Sequence, residues 1–360
     1  MRRVNIGSVR SGERLAKPVL RENGHVLLGL GVELNDRFID RLRDMGVDYV
    51  FIEDHVTDDI MPEEVIREET RKNAVDSVYK TMNSIMDNPA TKGRAVAPEL
   101  GRTFRNVFGQ ILQDLMGRRE VLVNLESIHT SDAYLFQHSV NVAVLAGIIG
   151  LAKGYNRNQL EDLGIGALLF DVGMTQVPQE LLKKKAALTK EEMQVVQKHT
   201  VEGFNLLRHQ YDLSLLSAHC ALQHHERYDG TGYPRGLKKD EIHEYAQIVA
   251  IADVYDALTS PRPHRPRYTP SEAIEYLFAA GNSYFDVNLI RLFCKHISIY
   301  PIATTIQLNS GQIGVVSAND SLAVHRPTVR IIQEADGTKV KEPYEIDLKD
   351  SLHLMISKVL

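Results

Sequence analysis

The segment from residue 119 to residue 298 most constrains the fold, because one apolar helical pattern follows another along it. In HSVNVAVLAGIIGLAKG, His138 and Leu145 fall on one face of a helix. Thr189, with Glu192 at capping-box spacing, predicts the start of a later helix. Further helical patterns are NQLEDLGIGALLFDVG, TKEEMQVVQKHTVEGFNLL, SLLSAHCALQHHERYDG, EYAQIVAIADVYDALTS and SEAIEYLFAAGNS. We therefore predict an all-helical domain here.

Two segments precede this domain. Residues 1–56 predict a small α/β module, in which NDRFIDRLRDMG begins after the N-cap residue Asn35 and ends at Gly46. The following VDYVFIED has the composition of a β-strand. Residues 57–118 are charged and carry two helical patterns, which Asn88-Pro89 separates. We interpret this second segment as a helical linker that acts as a spacer.

Residues 299–360 alternate apolar and polar side chains, the pattern of β-strands. Asn309-Ser310-Gly311 and Asp336-Gly337 stand between such stretches and predict two hairpin turns. The predicted fold class is therefore mainly α, a helical bundle flanked by a small N-terminal α/β module and a small C-terminal β appendage.

Composition limits the functional classes. A chain of 360 residues, 43% hydrophobic and 25% charged, is typical of a globular protein with two or three domains. A formal net charge of −5 argues against a general nucleic-acid binder. Cys220 and Cys294 are the only cysteines, which excludes a disulfide framework and favours a reducing cytoplasm. The longest apolar run, Val142–Ala152, is too short to span a bilayer, and we expect no signal peptide.

The helical domain carries imidazole and carboxylate side chains that suit Fe, Mn, Zn and similar divalent metals. A carboxylate that bridges two metals about 3.5–4 Å apart is found in many phosphate-ester hydrolases. Such a pair of metals activates a water molecule and neutralises phosphate charge. The candidate ligands are His138, Asp171, His199, His224, His225 and Asp253.

Each candidate ligand also has a simpler interpretation. A lone histidine such as His138 or His199 is more often a packed or surface residue than a ligand. Asp253 lies in the apolar stretch IADVYDA, where an unpaired carboxylate is costly, but an arginine would serve as partner as well as a metal. Adjacent His224 and His225 point about 100° apart on a helix, so both reach one site only near a helix end or cleft. The next segment, ERYDGTGYPRGL, is either a functional loop or a connector.

Five motifs together resemble one family. HHERYDGTGYPRGL closely resembles the signature of the HD-GYP family, with Gly232-Tyr233-Pro234 as the motif in its name. HSVNVAVLA resembles the first ligand helix of that family, and LLFDVGMTQVP resembles its His-Asp segment. HTVEGFNLL, with His199, and IADVYDALTSPRPHR, with Asp253, resemble its later motifs in the same order. The resemblance covers roughly residues 120–298, and the flanking segments also resemble those of some bacterial members.

The resemblance implies an HD-type helical bundle that acts as a metal-dependent phosphodiesterase of the bacterial messenger cyclic di-GMP, giving linear pGpG or GMP. It implies two or three iron or manganese ions, with Asp171 as the bridging, catalytic carboxylate. Trinuclear members carry a glutamate four residues before the first histidine; that position is Tyr134 here, so a third metal is not implied. One metal would be held by His138, position 170, Asp171 and Asp253, and the other by Asp171, His199, His224 and His225.

The resemblance also implies contacts with ligands and partners. It assigns Arg262 and Arg265 to the phosphates of the ligand, although a solvated basic turn explains them equally well. It assigns the loop with Gly232, Tyr233 and Pro234 to substrate and to protein contacts. The expected partners are cyclic di-GMP or a related nucleotide and a signalling protein at this loop. A homodimer is also compatible with the resemblance. Neither a nucleic-acid partner nor a membrane-spanning segment is expected.

Two motif residues differ from the family. Phe170 stands where the family has the histidine of the His-Asp pair, and Met174 stands where it has a lysine that meets the scissile phosphate. Phenylalanine cannot coordinate a metal, and the methionine sulfur is an uncharged, poor ligand for hard Fe or Mn. The first metal site therefore keeps three of four protein ligands, and the second keeps all four, which predicts one or two bound ions.

Three interpretations follow from these differences. Either hydrolysis is slow with one tight and one weak metal, or the domain is a cyclic di-GMP receptor without catalysis, or another residue or another phosphoester compensates. Two-metal activation needs both ions, so we expect weakened or lost hydrolysis. A purely structural or interaction protein is a fourth class. The intact GYP loop favours it, whereas the retained His199, His224 and His225 argue against it.

Overall fold

The computed structural model describes residues 1–20, 26–62, 64–87, 99–117, 134–182, 184, 186–260, 267–320 and 323–360. Its helices are α1 (Asp36–Asp44), α2 (Glu68–Asp87), α3 (Leu100–Met116), α4 (Tyr134–Ala152), α5 (Arg157–Leu169), α6 (Gln179–Leu182), α7 (Lys190–Gln197), α8 (His199–Arg208), α9 (Leu215–Gln223), α10 (Glu244–Thr259), α11 (Pro270–Ala279) and α12 (Val287–Cys294). Its strands are β1 (Arg2–Asn5), β2 (Val19–Leu20), β3 (Val26–Leu28), β4 (Tyr49–Ile52), β5 (Thr305–Leu308), β6 (Ile313–Ala318), β7 (Thr328–Gln333), β8 (Lys339–Asp347) and β9 (Ile356–Val359).

Helix α4 lies at the centre of the helical bundle. All its residues from His138 to Gly150 are buried, as expected for a mostly apolar helix at the centre of a bundle. Helices α5 and α8 to α12 contribute to the same hydrophobic core. This arrangement confirms the predicted helical bundle. None of the described helices combines the length and apolar character that crossing a bilayer requires.

Local sequence signals mark several helix ends correctly. The Asn35 side chain accepts a hydrogen bond from the amide of Phe38, and Gly46 follows α1 with a φ of +76°. Thr189 forms the predicted capping box at the start of α7. The segment that follows was predicted as one helix, but it divides at Lys198 into α7 and α8. The His199 side chain donates to the carbonyl of Val196 at this break, and such local bonds compete with a continuous helical ladder.

The linker helices α2 and α3 belong to the packed bundle. Ala74, Val78 and Met82 of α2 join the hydrophobic core of the bundle, together with Phe104 and Phe108 of α3. The described parts of residues 57–118 therefore bury apolar surface against the helical domain, which a solvated spacer would not do. The predicted domain boundaries themselves stay predictions.

The two flanking modules contact each other. In the N-terminal module, β1 pairs antiparallel with β4, and the C-terminal residues form a five-stranded antiparallel sheet in the order β8-β7-β6-β5-β9. The predicted hairpin turns are present, with Gly311 at a φ of +92° and Gly337 at +88°. The amide of Arg3 donates to the carbonyl of Ala303 at 2.7 Å, and Ala303 with Val315 packs in the core of the N-terminal module. The chain thus brings its first and last segments together beside the bundle.

Candidate metal centre

A tight turn after α5 places Asp171. Phe170 ends the helix, Asp171 follows, and Val172–Gln176 form a single 3₁₀ segment. A methyl group on Gly173 would overlap the carbonyl oxygen of His199 and the amide nitrogen of Gly203. The turn can therefore lie against the backbone of α8 only because residue 173 is glycine. This close approach brings the Asp171 carboxylate to the start of α8.

His199 and His224 direct their free nitrogens at each other. The Nδ1 of His199 donates to the carbonyl of Val196 at 2.7 Å, and the Nδ1 of His224 donates to the carbonyls of Cys220 and Ala221, both at 3.0 Å. These bonds leave Nε2 as the ring atom that each histidine turns towards the centre, and the two Nε2 atoms lie 3.3 Å apart. Both Nε2 atoms can therefore bind one cation, and backbone carbonyls commonly orient metal-binding histidines in this way.

Asp171 and His225 complete this half of the centre. An Asp171 Oδ1 atom lies 3.5 Å from the Nε2 of His199 and 3.6 Å from that of His224. Ligand atoms of His199, His224 and His225 all lie within 4.8 Å of one another. Burial and the neighbouring His225 lower the pKa of His224 to about 3, and burial lowers the pKa of His225 to about 4. Neutral imidazole is the form that binds metals, so this donor set fits a divalent ion.

His138 lies in the other half of the centre, between two carboxylates. Its Nε2 is 2.9 Å from Asp253 Oδ1, and its Nδ1 is 2.7 Å from Asp256 Oδ2. Burial disfavours the charged imidazole, but the hydrogen bonds to Asp253 and Asp256 outweigh it and raise the pKa of His138 to about 10. Burial likewise opposes ionisation of Asp253, yet His138 lowers the pKa of that carboxyl. The three side chains form a largely buried, hydrogen-bonded cluster of one imidazole and two carboxyl groups.

The residues that support His138 were not among the predicted site residues. The Nδ2 of Asn141 donates to Asp256 Oδ1 at 2.9 Å, and the Nη1 of Arg71 donates to Asn141 Oδ1 at 2.7 Å. Asn141 and Asp256 each follow a predicted ligand by three residues on the same helix, and that spacing could have revealed them. No local signal pointed to Arg71, because its contact to α4 is set only by tertiary packing.

Phe170 fills the region between the two halves. Its side chain is buried, with 1% of the residue exposed. The ring meets the ring of His138 edge-on with centroids 5.7 Å apart, and that of His224 with centroids 5.0 Å apart. An apolar ring therefore contacts a histidine of each half. Met174, half-buried in the 3₁₀ segment, donates its amide to the carbonyl of Asp171 at 2.9 Å and offers no charge to a ligand.

The GYP loop folds back onto His225. The Tyr233 ring stacks on the His225 ring with centroids 4.8 Å apart and an angle of 27° between the planes. Gly232 lies so close to the backbone of residues 225–227 that a side chain would not fit, and Pro234 is exposed. Glu226, which was also not predicted as a site residue, is buried and accepts hydrogen bonds from the amides of Arg235 and Leu237 at 2.8 Å and 3.0 Å. This carboxylate fixes the loop over the centre.

The structure thus brings together His138, Asp171, His199, His224, His225, Asp253 and Tyr233 of the predicted site. Arg262 and Arg265 lie outside the described residues, and so does the side chain of Tyr134. The assignment of these three positions stays a prediction.

Comparisons with known proteins find matches for the helical domain and for the C-terminal sheet. The HD domain family matches residues 122–289, and a family described as the KOW domain associated with the HD domain matches residues 305–360. The helical bundle with its histidine and aspartate centre is therefore that of an HD-domain protein. The relatives of this chain and its motifs support the assignment of this domain to the HD-GYP family.

The relatives share about half of their length with this chain. A cyclic di-GMP phosphodiesterase of Pseudomonas aeruginosa is 35% identical over 239 residues, which are 66% of this chain and 57% of that protein. A cyclic di-GMP phosphodiesterase of Thermotoga maritima is 32% identical over 197 residues, 54% of this chain and 53% of that protein. A solved HDG"Y"P protein from Bdellovibrio bacteriovorus aligns with a TM-score of 0.46 and 16% identity, covering 81% of this chain and 97% of its own. The chain spans about half the length of the curated relatives it matches.

Proposed function

We propose that this chain acts on cyclic di-GMP as a phosphodiesterase-like protein of bacterial signalling, with one tightly held metal and weakened or lost hydrolysis. The observation that carries the proposal is the contrast between the two halves of the centre. Asp171, His199, His224 and His225 form a complete donor set on one side. On the other side Phe170 puts an apolar ring where a ligand belongs.

The proposed metal is iron or manganese. It would be held by Asp171, His199, His224 and His225, whereas a second ion would have only His138, Asp171 and Asp253. When bound, the metal would polarise a phosphate oxygen and neutralise phosphate charge. The interactions of His138 with two carboxylates favour the state in which that half holds no ion.

The chain's own residues supply the rest of the proposed site. The Tyr233 ring on His225 forms an aromatic wall, and burial raises the pKa of Tyr233, so its hydroxyl stays a hydrogen-bond donor. Phe170 keeps water away from the space between the halves. Met174 provides no charge for the phosphate, so the transition state lacks one electrostatic contact. These features support ligand binding better than fast turnover.

The location in the cytoplasm is part of the proposal. The free thiols of Cys220, which is buried, and Cys294, which is partly buried, are compatible with a reducing compartment. A protein partner at the GYP loop and a homodimer are further parts of the proposal, supported only by the family resemblance.

The decisive experiment measures cyclic di-GMP hydrolysis by chromatography after anaerobic loading of the purified protein with Fe(II) or Mn(II). We expect the Phe170→His/Met174→Lys variant to turn over at least about 100-fold faster than the wild type, since it regains a ligand and a charge. Asp171→Ala in either background serves as the inactive control. Rapid hydrolysis by the wild type, abolished by Asp171→Ala, would show that Phe170 and Met174 are compatible with catalysis.

Calorimetric titration of the same samples with cyclic di-GMP distinguishes a cyclic di-GMP receptor from an interaction protein that binds no nucleotide. Binding without turnover supports the receptor function, which the intact loop held by Glu226 also favours. A protein that binds neither metal nor cyclic di-GMP would contradict the proposal and leave an interaction role.

A further inference from the structure

A residue from outside the matched HD domain reaches the metal centre. Arg71 lies on α2, about fifty residues before the matched region begins at residue 122. Its Nη1 donates to Asn141, Asn141 donates to Asp256, and Asp256 accepts from His138, with distances of 2.7, 2.9 and 2.7 Å. One continuous line of hydrogen bonds therefore joins α2 to His138.

Burying the Arg71 guanidinium costs desolvation free energy, which its contacts must offset. The residue is 8% exposed, and among the described residues its Nε has no hydrogen-bond partner. A buried guanidinium keeps its charge and must be offset by nearby carboxylates. Burial lowers the pKa of Arg71, while the charges of Glu64 and Asp256 oppose that change. Glu64 also pairs with Lys17 of the N-terminal module at 3.3 Å.

Arg71 matters for His138 because two carboxylates share that one imidazole, Asp256 at Nδ1 and Asp253 at Nε2. Asp253 must turn an oxygen towards a metal for the second ion to bind, while Asp256 must stay on Nδ1 to orient the ring. Asn141 can hold Asp256 in place only when its own carbonyl oxygen faces a donor, and Arg71 is that donor. Such outer contacts typically set metal affinity by about 10–100-fold.

We propose that Arg71 is a positioning residue for His138, so that α2 controls the affinity of the second, weakened metal position. This inference deepens the proposed function and rests on it. It assigns the linker segment a role at the centre: the contact from α2 orients His138 and leaves the His199, His224 and His225 side unaffected.

The test uses the full chain carrying Phe170→His, in which the second position regains its fourth ligand. Anaerobic Mn(II) titration, followed by calorimetry and by the electron paramagnetic resonance of free Mn(II), gives the affinities of both ions. We expect added Arg71→Met to weaken the second ion about 10–100-fold and to leave the first within about twofold. Arg71→Lys, which keeps a charged donor, should restore most of the affinity.

The matched control is Arg67→Met in the same background. Arg67 lies just before α2, is largely exposed and pairs with Asp114 rather than with the centre. If Arg71→Met does not fold, the double variant Arg71→Met/Asn141→Leu replaces both partners with apolar groups and should show the same selective loss.

Three results would overturn the inference: equal second-ion affinities in the Arg71→Met and Arg67→Met proteins, equal weakening of both ions, or no second ion in Phe170→His with Arg71 intact. Absence of the first ion from every variant would instead contradict the proposed function.

Discussion

The ring of Phe170 meets two histidine rings edge-on, and each such aromatic pair contributes about 0.5–1.5 kcal/mol beyond simple burial. A histidine at this position would need a metal or another polar partner, because an unpaired buried polar group is costly. Phe170 therefore stabilises the fold without an ion at the His138 position. A histidine at position 170 would need a metal or polar partner, whereas Phe170 is stabilised by apolar packing alone.

The metal dependence of stability should differ between the two halves. Mn(II) at about 100 times its dissociation constant should stabilise the wild type by about 2.7 kcal/mol, seen as an increase in Tm by calorimetry with and without a chelator. The increase should vanish in His224→Gln and persist in His138→Gln. His209→Gln, at an exposed histidine bonded to the carbonyl of Asn205, is the control. A full increase in His224→Gln would refute the assignment of the tight ion.

At the scale of elements, the contact between the 3₁₀ segment and α8 is the tightest in the centre. Gly173 leaves no room for a methyl group against the carbonyl oxygen of His199 and the amide of Gly203. The position of Asp171 relative to His199 thus depends on the backbone contact between the 3₁₀ segment and α8.

Gly173→Ala should separate these elements. We expect it to lower the free energy of unfolding by about 1–3 kcal/mol and to weaken Mn(II) binding at least about tenfold, measured by denaturant titration and calorimetry. Gly109→Ala on α3 is the control. It meets open space, so helix propensity should raise the free energy of unfolding by about 0.5–1 kcal/mol. Unchanged metal affinity in Gly173→Ala would show that the turn does not position Asp171.

Helix α10 depends on a neutral histidine at its N-terminus. The Nδ1 of His243 accepts the amide of Tyr245 at 3.2 Å, with the His219 ring of α9 stacked nearby. Burial and His219 lower the pKa of His243 against the opposing charge of Glu244, and burial and Arg235 lower the pKa of His219.

Lowering the pH should therefore weaken this cap. The unfolded chain binds protons at these histidines more readily than the folded one, so their contribution to stability is present above about pH 6.5 and is lost as the pH falls below it. His243→Asn keeps an acceptor that does not titrate and should flatten the fall in unfolding free energy between about pH 7.5 and about pH 5.5. His243→Ala should cost about 1 kcal/mol even at about pH 7.5. Equal pH dependence in the wild type and His243→Asn would exclude this cap as a pH-sensitive element.

On the scale of the whole molecule, the features predictable from sequence are those determined by interactions between residues close together in the chain. The cap at Asn35, the capping box at Thr189 and the turns at Gly311 and Gly337 follow from side-chain chemistry within a few residues. The motifs also identify the candidate ligands, which the structure brings together, while their binding of a metal stays a prediction. The contact from Arg71 to Asn141 was not predictable, because it joins residues seventy positions apart through tertiary packing.

The flanking modules should behave as one unit because they share buried surface. Val50 is fully buried in the cluster that also holds Ala303 and Val315. Val50→Ala should cost about 1–3 kcal/mol and speed amide hydrogen exchange in β1, β4, β5 and β6 together, while α4 and α10 keep their protection. Val249→Ala in the helical core should give the reverse pattern. Loss of protection confined to β1 and β4 would show that the modules unfold separately.

The stacking of Tyr233 on His225 has a spectroscopic consequence. The sequence contains no tryptophan. Tyr233→Trp would therefore give the chain a single indole, placed against one of the three clustered histidines. A paramagnetic ion such as Mn(II) quenches the emission of a neighbouring fluorophore, so loading of the centre becomes visible in real time. Residue 233 of the GYP loop thereby becomes an optical probe of metal binding at the centre.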